Sequence, residues 1–319
     1  MPNEKVYLSI VAPVYNEENN LPVFYAKAKA AIEEIGLTYE MIFINDGSED
    51  GSLRVLEGIN RQDKNARIIN FRKNYGQTAA LQAGFDFASG EVIITFDADL
   101  QNDPSDIKML LDELDTGYDL VSGWRKLRKD KFLLRRLPSK FANWLINWLI
   151  ASTKCHVHDY GCTLKAYRKW VVKSLNIYGE MHRFIPVFAA LQGAKIGEVV
   201  VKHHPRLYGQ SKYTLNRVYK VILDLITIRF FATSMTRPSH FFGKISGLML
   251  FLGFGLSLFL FLISLFLDLG ININTYLIIN SMAISIAAQF IVLGLLGEIM
   301  MRSYFETTNK RPYTVKEII

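Results

Sequence analysis

Two carboxylates stand two residues apart at the end of an apolar run: Val92-Ile93-Ile94-Thr95-Phe96 is followed at once by Asp97-Ala98-Asp99. Hard oxygen ligands so placed can hold Mg²⁺ or Mn²⁺ against a diphosphate, with phosphate oxygens and water completing the shell. The same stretch also suits a helix start, because Asp103 and Pro104 follow as a cap and first turn. Taken alone, the pair leaves both assignments open. Asn45-Asp46-Gly47-Ser48 after Ile42-Phe43-Ile44 has the same ambiguity, Asp-Gly being an ordinary turn dipeptide. A third polar turn, Pro13-Val14-Tyr15-Asn16-Glu17, closes another apolar run.

The elements that would position these turns are legible from periodicity. Apolar runs over 6–14, 39–44, 67–70 and 91–96 predict strands, and they alternate with helix-like segments over 21–35, 51–60 and 78–88. That alternation predicts a βαβ, Rossmann-like α/β domain with a mostly parallel sheet. Ligands of such sheets bind just beyond the carboxyl ends of the strands. Three polar strand ends converging on one crevice therefore point to a nucleotide site.

Beyond the third turn the composition changes. Eight basic residues fall between Trp124 and Lys140, Arg125, Arg135 and Arg136 among them, against one acidic residue, Asp130. Nucleic acid would suit such a run, but the next helix carries Phe141, Trp144, Leu145, Trp148 and Leu149 as an apolar stripe. Basic residues beside an aromatic amphipathic stripe fit a membrane surface instead, so membrane lipids are the expected partner and nucleic acid is not. A second amphipathic helix carries Val218, Tyr219, Ile222, Leu225 and Ile226 on one face.

Of the 319 residues half are hydrophobic, and between 245 and 297 the one charged residue is Asp268. It divides the stretch into two runs, 245–267 and 275–297, each long enough to cross a hydrocarbon core of about 30 Å. Two transmembrane helices are thus expected, and a freely soluble protein and a secretory signal are not. Arg229, Arg237 and Lys244 precede the pair and Arg302, Lys310 and Arg311 follow it, while the connecting loop has no Lys or Arg. That bias predicts both termini on the cytoplasmic side. Cys155 and Cys162 would then sit in a reducing compartment without a disulfide. The expected organisation is a globular domain over 1–212 with an interface helix near 138–151, a juxtamembrane amphipathic helix over 213–242, a transmembrane hairpin over 243–298 and a cytoplasmic tail over 299–319.

These motifs co-occur in a recognisable pattern. Pro13-Val14-Tyr15-Asn16-Glu17-Glu18, Asn45-Asp46-Gly47-Ser48, Arg72-Lys73-Asn74-Tyr75-Gly76 with Ala80 and Gly84, and Asp97-Ala98-Asp99-Leu100-Gln101 resemble family 2 glycosyltransferases of the GT-A fold. More narrowly, residues 5 to 300 resemble the polyprenyl-phosphate glycosyltransferases, a group that includes dolichyl-phosphate mannose synthases and bactoprenol glucosyltransferases. The resemblance implies that Pro13, Tyr15, Glu17 and Asp46 line a nucleoside pocket and that Asp97, Asp99 and Gln101 sit at the metal and diphosphate. It implies acceptor-phosphate and diphosphate contacts for Arg125, the Arg135-Arg136 pair, Arg206, Ser211 and Lys212. The physics agrees, since arginine forks recognise phosphate oxygens bidentately and lysine adds a point charge. Asp159, ahead of Gly161 and Arg168, matches an acidic residue bordering the acceptor, although Tyr160 and Cys162 depart from the family's smaller residues there. Cys155-His156-Val157-His158 with Cys162 matches no common structural zinc spacing.

The activity so implied is inverting, metal-dependent transfer of one sugar from a nucleotide sugar, UDP-glucose or another UDP-hexose, to undecaprenyl or another polyprenyl phosphate on the cytoplasmic membrane face. Mannosyl transfer from GDP-mannose is the alternative donor chemistry. A catalytically inactive membrane scaffold is the rival of another class, and it is disfavoured by the intact Asp97/Asp99 pair. No Gln-x-x-Arg-Trp segment of the processive polysaccharide synthases is found in the sequence, which favours a single transfer over polymerisation. Gly247, Gly253 and Gly255 allow helix pairing, hence a homo-oligomer.

Overall fold

The computed structural model describes residues 6–126, 155, 157–205, six positions between 251 and 262, 273–308 and 311–319. Contacts divide the chain into two compact units, Met1–Leu225 with Arg311–Ile319, and Ile226–Lys310.

The first unit is built on strands β1 (Leu8–Val14), β2 (Tyr39–Asn45), β3 (Ala66–Phe71), β4 (Val92–Thr95), β5 (Leu120–Trp124), β6 (Lys165–Arg168), β7 (Ile196–Val200) and β8 (Val315–Ile318). They form one sheet in the order β7-β5-β6-β4-β1-β2-β3-β8. β1 runs parallel to both β2 and β4, and β2 to β3. Strands flanked by helices on both faces must be apolar on both faces, which is why β1 and β2 are buried almost throughout. Helices α1 (Leu21–Ile35), α2 (Ser52–Gln62) and α3 (Gln77–Phe87) join β1 through β4, as the apolar periodicity predicts. The α3 helix packs so tightly that a Cβ at Gly84 would collide with Val11 of β1. After β4 come α4 (Asp106–Asp115), α5 (Lys169–Ser174), a 3₁₀ turn over Met181–Phe184 and α6 (Ile185–Leu191).

Two departures from the sequence expectation stand out. The half of the sheet beyond β4 is mixed, because β6 runs antiparallel to both β4 and β5. Residues expected as part of a tail supply β8, which pairs antiparallel with β3 at Ile69↔Ile318 and Asn70↔Glu317. With its charged pattern Val-Lys-Glu-Ile, β8 reads as tail; it is an edge strand, three of whose four residues are exposed.

In the second unit α7 (Ile273–Thr308) is one long apolar helix. Among the described residues it is the one helix long and apolar enough to cross a membrane, over Asn280–Gly297. Ile278, Met282, Ile286 and Leu293 are exposed along it, unlike the apolar face of a soluble core helix. Most of the first expected span, 245–267, falls outside the described residues, and the interface helix near 138–151 and the juxtamembrane helix over 213–242 lie wholly outside them.

Candidate active site

The chain passes from β1 to β2 and β3 on one side and returns to β4 on the other, so the sheet order reverses beside β1. Ligand crevices form at such a switch point. Here it opens as a cleft of about 260 Å³ walled by Pro13, Val14, Tyr15 and Glu17 at and after the end of β1, Asp46 after β2, Asn74, Gly76 and Gln77 at the start of α3, and Asp97, Ala98 and Asp99 after β4. Six residues proposed from sequence, Pro13, Tyr15, Glu17, Asp46, Asp97 and Asp99, thus meet in one cavity. Gln101 does not line it. Its backbone N–H donates to Asp99 Oδ1 (3.1 Å) and its carbonyl accepts from the His204 N–H (2.8 Å).

Asp46 is buried and holds a loop rather than facing solvent: its two oxygens accept the backbone N–H groups of Tyr75 (2.7 Å) and Gly76 (2.9 Å). Burial pushes its carboxyl above the ordinary value, against the pull of those two donors. The neighbouring Gly47 has φ +66°, and a Cβ there would strike the Lys73 backbone. Only glycine lets the 45–48 turn lie against the 72–77 segment. Across the turn, Asn16 donates its N–H to Ser48 Oγ (3.0 Å) and accepts the Glu49 N–H (2.8 Å).

The paired carboxylates sit as their strand predicts. Asp97 accepts from Gln77 Nε2 (3.0 Å) and Thr163 Oγ1 (2.7 Å). Burial first, and then the negative charge of Asp99, push its carboxyl up to about 6, while Thr163, Arg125 and Lys165 hold it down. Asp99 is buried, and the next residue, Leu100, takes a left-handed φ of 60°. The Cβ of an L-residue disfavours that conformation by about 1–2 kcal/mol. Burying the Leu100 side chain in the core helps hold the turn that aims Asp97 and Asp99 at the cleft.

Arg125, at the end of β5, makes a two-pronged ion pair with Asp159: Nε to Oδ2 at 2.7 Å and Nη2 to Oδ1 at 2.9 Å, with both side chains largely buried. Two residues proposed separately for the acceptor are therefore one unit. Gly161 makes room for it, since a Cβ there would approach Arg125 Nη2 to 3.2 Å. Glu198 of β7 accepts the N–H groups of His158 (2.9 Å) and Asp159 (3.2 Å) and pairs with His158 Nδ1 (2.7 Å). His158 also stacks on Trp124, at 4.2 Å and 15°. Cys155 and Cys162 are buried thiols, and no cluster of three or more metal-ligating side chains occurs among the described residues. Arg135, Arg136, Arg206, Ser211 and Lys212 lie outside the described residues.

Sequence reasoning missed Gln77, Thr163 and Lys165. The first two orient Asp97. Lys165 is buried in β6, donates to the Cys162 carbonyl and adds positive charge near Asp97 and Asp159; burial lowers its own pKa. Gln77 could have been suspected from its place after Gly76, whereas nothing in the chain around Thr163 or Lys165 marks them.

A switch-point cleft with an acidic pair at one strand tip and a loop cradle at the next is the ligand crevice of an open α/β sheet. Glucosyl-3-phosphoglycerate synthase from Mycobacterium tuberculosis, solved with Mn²⁺, UDP-glucose and phosphoglyceric acid, shares this fold with a TM-score of 0.50 at 17% identity, over 71% of this chain and 79% of that one. The chain belongs to glycosyl transferase family 2, whose model matches residues 9–175, and it is a glycosyltransferase. It is 40% identical to a dodecaprenyl-phosphate galacturonate synthase of Rhizobium johnstonii, over 99% of this chain and 94% of that one. It is 36% identical to an undecaprenyl-phosphate 4-deoxy-4-formamido-L-arabinose transferase of Shewanella sediminis, over 98% and 92%.

Proposed function

We propose that the enzyme transfers one sugar from a nucleoside-diphosphate sugar, of the UDP kind, to the phosphate of a membrane polyprenol on the cytoplasmic face. The observation that carries the reading is that Asp97 and Asp99 line the same cleft as Asp46; in this reading the acidic pair takes the diphosphate. The two relatives support it, because they match nearly the whole chain and their names join a sugar to a polyprenyl phosphate. UDP-glucose is the donor expected from sequence; those names add galacturonate and 4-deoxy-4-formamido-arabinose to the sugars to be tried.

The donor set fits a divalent cation. Two hard carboxylates face one cleft, and the repulsion that raises Asp97 is what a cation would relieve. Asp99 and Asp97 would hold Mg²⁺ or Mn²⁺, which neutralises the leaving diphosphate when bound. Gln77 and Thr163 keep Asp97 turned to that position. The acceptor phosphate attacks C1 of the sugar from the opposite face, giving inversion. A phosphate monoester loses its second proton near pH 6, so the nucleophile is already ionised at neutral pH and needs no strong base. Asp159, committed to Arg125, then serves to hold the guanidinium where acceptor and donor phosphates meet, and Arg206 and Lys212 would add charge there.

Two membrane spans fit this reading. β8 lies in the same sheet as β1 to β4 yet follows α7 in the chain, so the segment between the two parts of the globular unit must cross a membrane an even number of times or not at all. A single crossing by α7 would need a partner, and 245–267 is the apolar stretch available. The test incubates membranes containing the protein with labelled UDP-glucose, UDP-galacturonate, UDP-4-deoxy-4-formamido-arabinose or GDP-mannose plus undecaprenyl phosphate. Label should pass into the organic phase with one donor and be lost in EDTA. No transfer to lipid from any donor would sink the reading.

A further inference from the structure

β8 does more than cover an edge. Its backbone bonds to β3, Ile68 N–H to Ile319 O (2.8 Å) and Ile319 N–H to Ile68 O (2.9 Å), would protect β3 whatever the side chains were. Three side chains of residues 311–319 nonetheless contact β3 and α3, the elements that lead to the cleft.

The first path is a ladder of amides. Glu317 Oε1 accepts from Asn70 Nδ2 (2.7 Å), Asn70 Oδ1 accepts from Asn45 Nδ2 (2.9 Å), and Asn45 Oδ1 accepts the Ser48 N–H (3.3 Å). Asn45 and Asn70 are both buried. An amide can present either its oxygen or its NH₂ to a neighbour, so a buried pair of asparagines has two directions open to it. A carboxylate can only accept. Glu317 therefore forces the Asn70 NH₂ toward itself and the Asn70 oxygen toward Asn45. The Asn45 oxygen is left pointing at the 45–48 turn, where a backbone N–H awaits it. Reversed, the ladder would set an NH₂ against that N–H.

The second path is aromatic and charged. Tyr313 stacks on Phe71 (5.1 Å, 12°), and Phe71 meets Tyr75 edge-on (5.6 Å, 89°), the residue whose N–H holds Asp46. The Tyr313 hydroxyl donates to Asp86 Oδ2 (2.6 Å), which also pairs with Arg311 Nε (3.0 Å). Asp86 lies on α3, the helix whose first residue, Gln77, donates to Asp97.

We infer that residues 311–319 are a positioning element of the donor cleft, with Glu317 fixing the direction of the Asn70–Asn45 ladder and hence the shape of the 45–48 turn. The inference rests on the nucleotide-sugar reading of that cleft. Glu317 touches no substrate; it acts through Asn70 and Asn45.

The experiment uses the full chain in detergent and two measurements. Calorimetric titration with UDP and Mn²⁺ should show Glu317→Ala binding about ten-fold more weakly, the size of one lost, half-buried hydrogen bond to a charge. Glu317→Gln can still offer an oxygen to Asn70 and should stay within about three-fold of wild type, whereas Glu317→Lys, a donor only, should be weaker than Ala. Hydrogen exchange in peptides covering 45–49 should rise in Glu317→Ala and be restored in Glu317→Gln, with no change over 92–96. That readout needs no nucleotide, so it tests the inference even where the donor assignment fails; wild type that binds UDP without transferring sugar would fault the proposed function alone. Unchanged exchange over 45–49 in Glu317→Ala, or Gln and Ala variants equally impaired, would overturn the positioning role.

Discussion

The two sides of the cleft are made of different materials. On the β1–β2–β3–β8 side the turns are held by backbone N–H groups and amides that donate to one another or to carboxylates such as Asp46 and Glu317. On the side reached through β4, β5 and β6, charges are buried against one another: Asp97 beside Asp99, Arg125 on Asp159, and Lys165 among them. Hydrogen bonds of this kind fix shape at about 1 kcal/mol each, so losing one member loosens the wall without stranding an opposite charge. Buried charges depend on their partners, and removing one leaves the other stranded at about 3–5 kcal/mol. The first arrangement suits a wall that fits one ligand; the second suits a place where charged groups must meet.

The contrast can be broken most severely at Asp99. Asp99→Ala should lower transfer by several orders of magnitude, because a misplaced cation removes several kcal/mol of leaving-group stabilisation. UDP-sugar turnover and circular dichroism on the same preparation would check that activity falls while the fold stays; activity within a few fold of wild type would remove the cation from this site.

Next in size is the Arg125–Asp159 pair. Arg125→Ala should destabilise the globular unit by about 3–5 kcal/mol, since Asp159 stays buried without its partner. The double variant Arg125→Met/Asp159→Leu should regain most of that in urea unfolding while remaining inactive. If the single variant is as stable as wild type, the charged side is no more dependent on its partners than the amide side.

The smallest effect is a pH dependence. Asp97 carries a folded-state value of about 6, above its ordinary one, so its contribution to stability is fully present below the ordinary carboxylate range and is lost as pH rises through about 6. Without divalent cation, Asp97→Asn should therefore raise the melting temperature above pH 6 by a few degrees, corresponding to roughly 1–2 kcal/mol, and leave it unchanged at pH 4. With cation limiting, transfer by the wild type should decline as pH falls below 6, because proton and cation compete for the Asp97 carboxyl. Melting curves of the two proteins that coincide at pH 8 would contradict the repulsion between Asp97 and Asp99.

The same division explains what could be read from the sequence. β1 to β4 and α1 to α3 were legible because parallel strands covered on both faces must be continuously apolar and must end in polar turns, so Asp46, Asp97 and Asp99 announce themselves at strand tips. The mixed half gives no such signal. Lys165 is a buried lysine inside a four-residue strand, and Thr163 reaches Asp97 only because β6 lies antiparallel to β4. The Arg125–Asp159 pair joins residues that the sequence flags singly, and their partnership depends on how β5 and the 155–163 loop meet. β8 was hidden for a further reason: an edge strand needs only one ladder of backbone bonds, and its side chains carry no obligatory pattern.

That eighth strand also fixes when the sheet can close. β3 is complete at Phe71 and β8 begins at Val315, so a chain made at about 5–20 residues per second spends roughly ten to fifty seconds between the two. For that interval the nascent protein carries an open strand edge, with the Ile68 and Arg72 N–H groups waiting for Ile319 and Thr314. Copies whose synthesis stops short keep that edge for good, and an unpaired strand is a template for another chain. Chains ending at residue 310 should thus be cut by protease near β3 and recovered in aggregates, while finished chains resist. The ribosome reaches Asp97 and Asp99 early, but the sheet beside the cleft closes only once β8 has emerged.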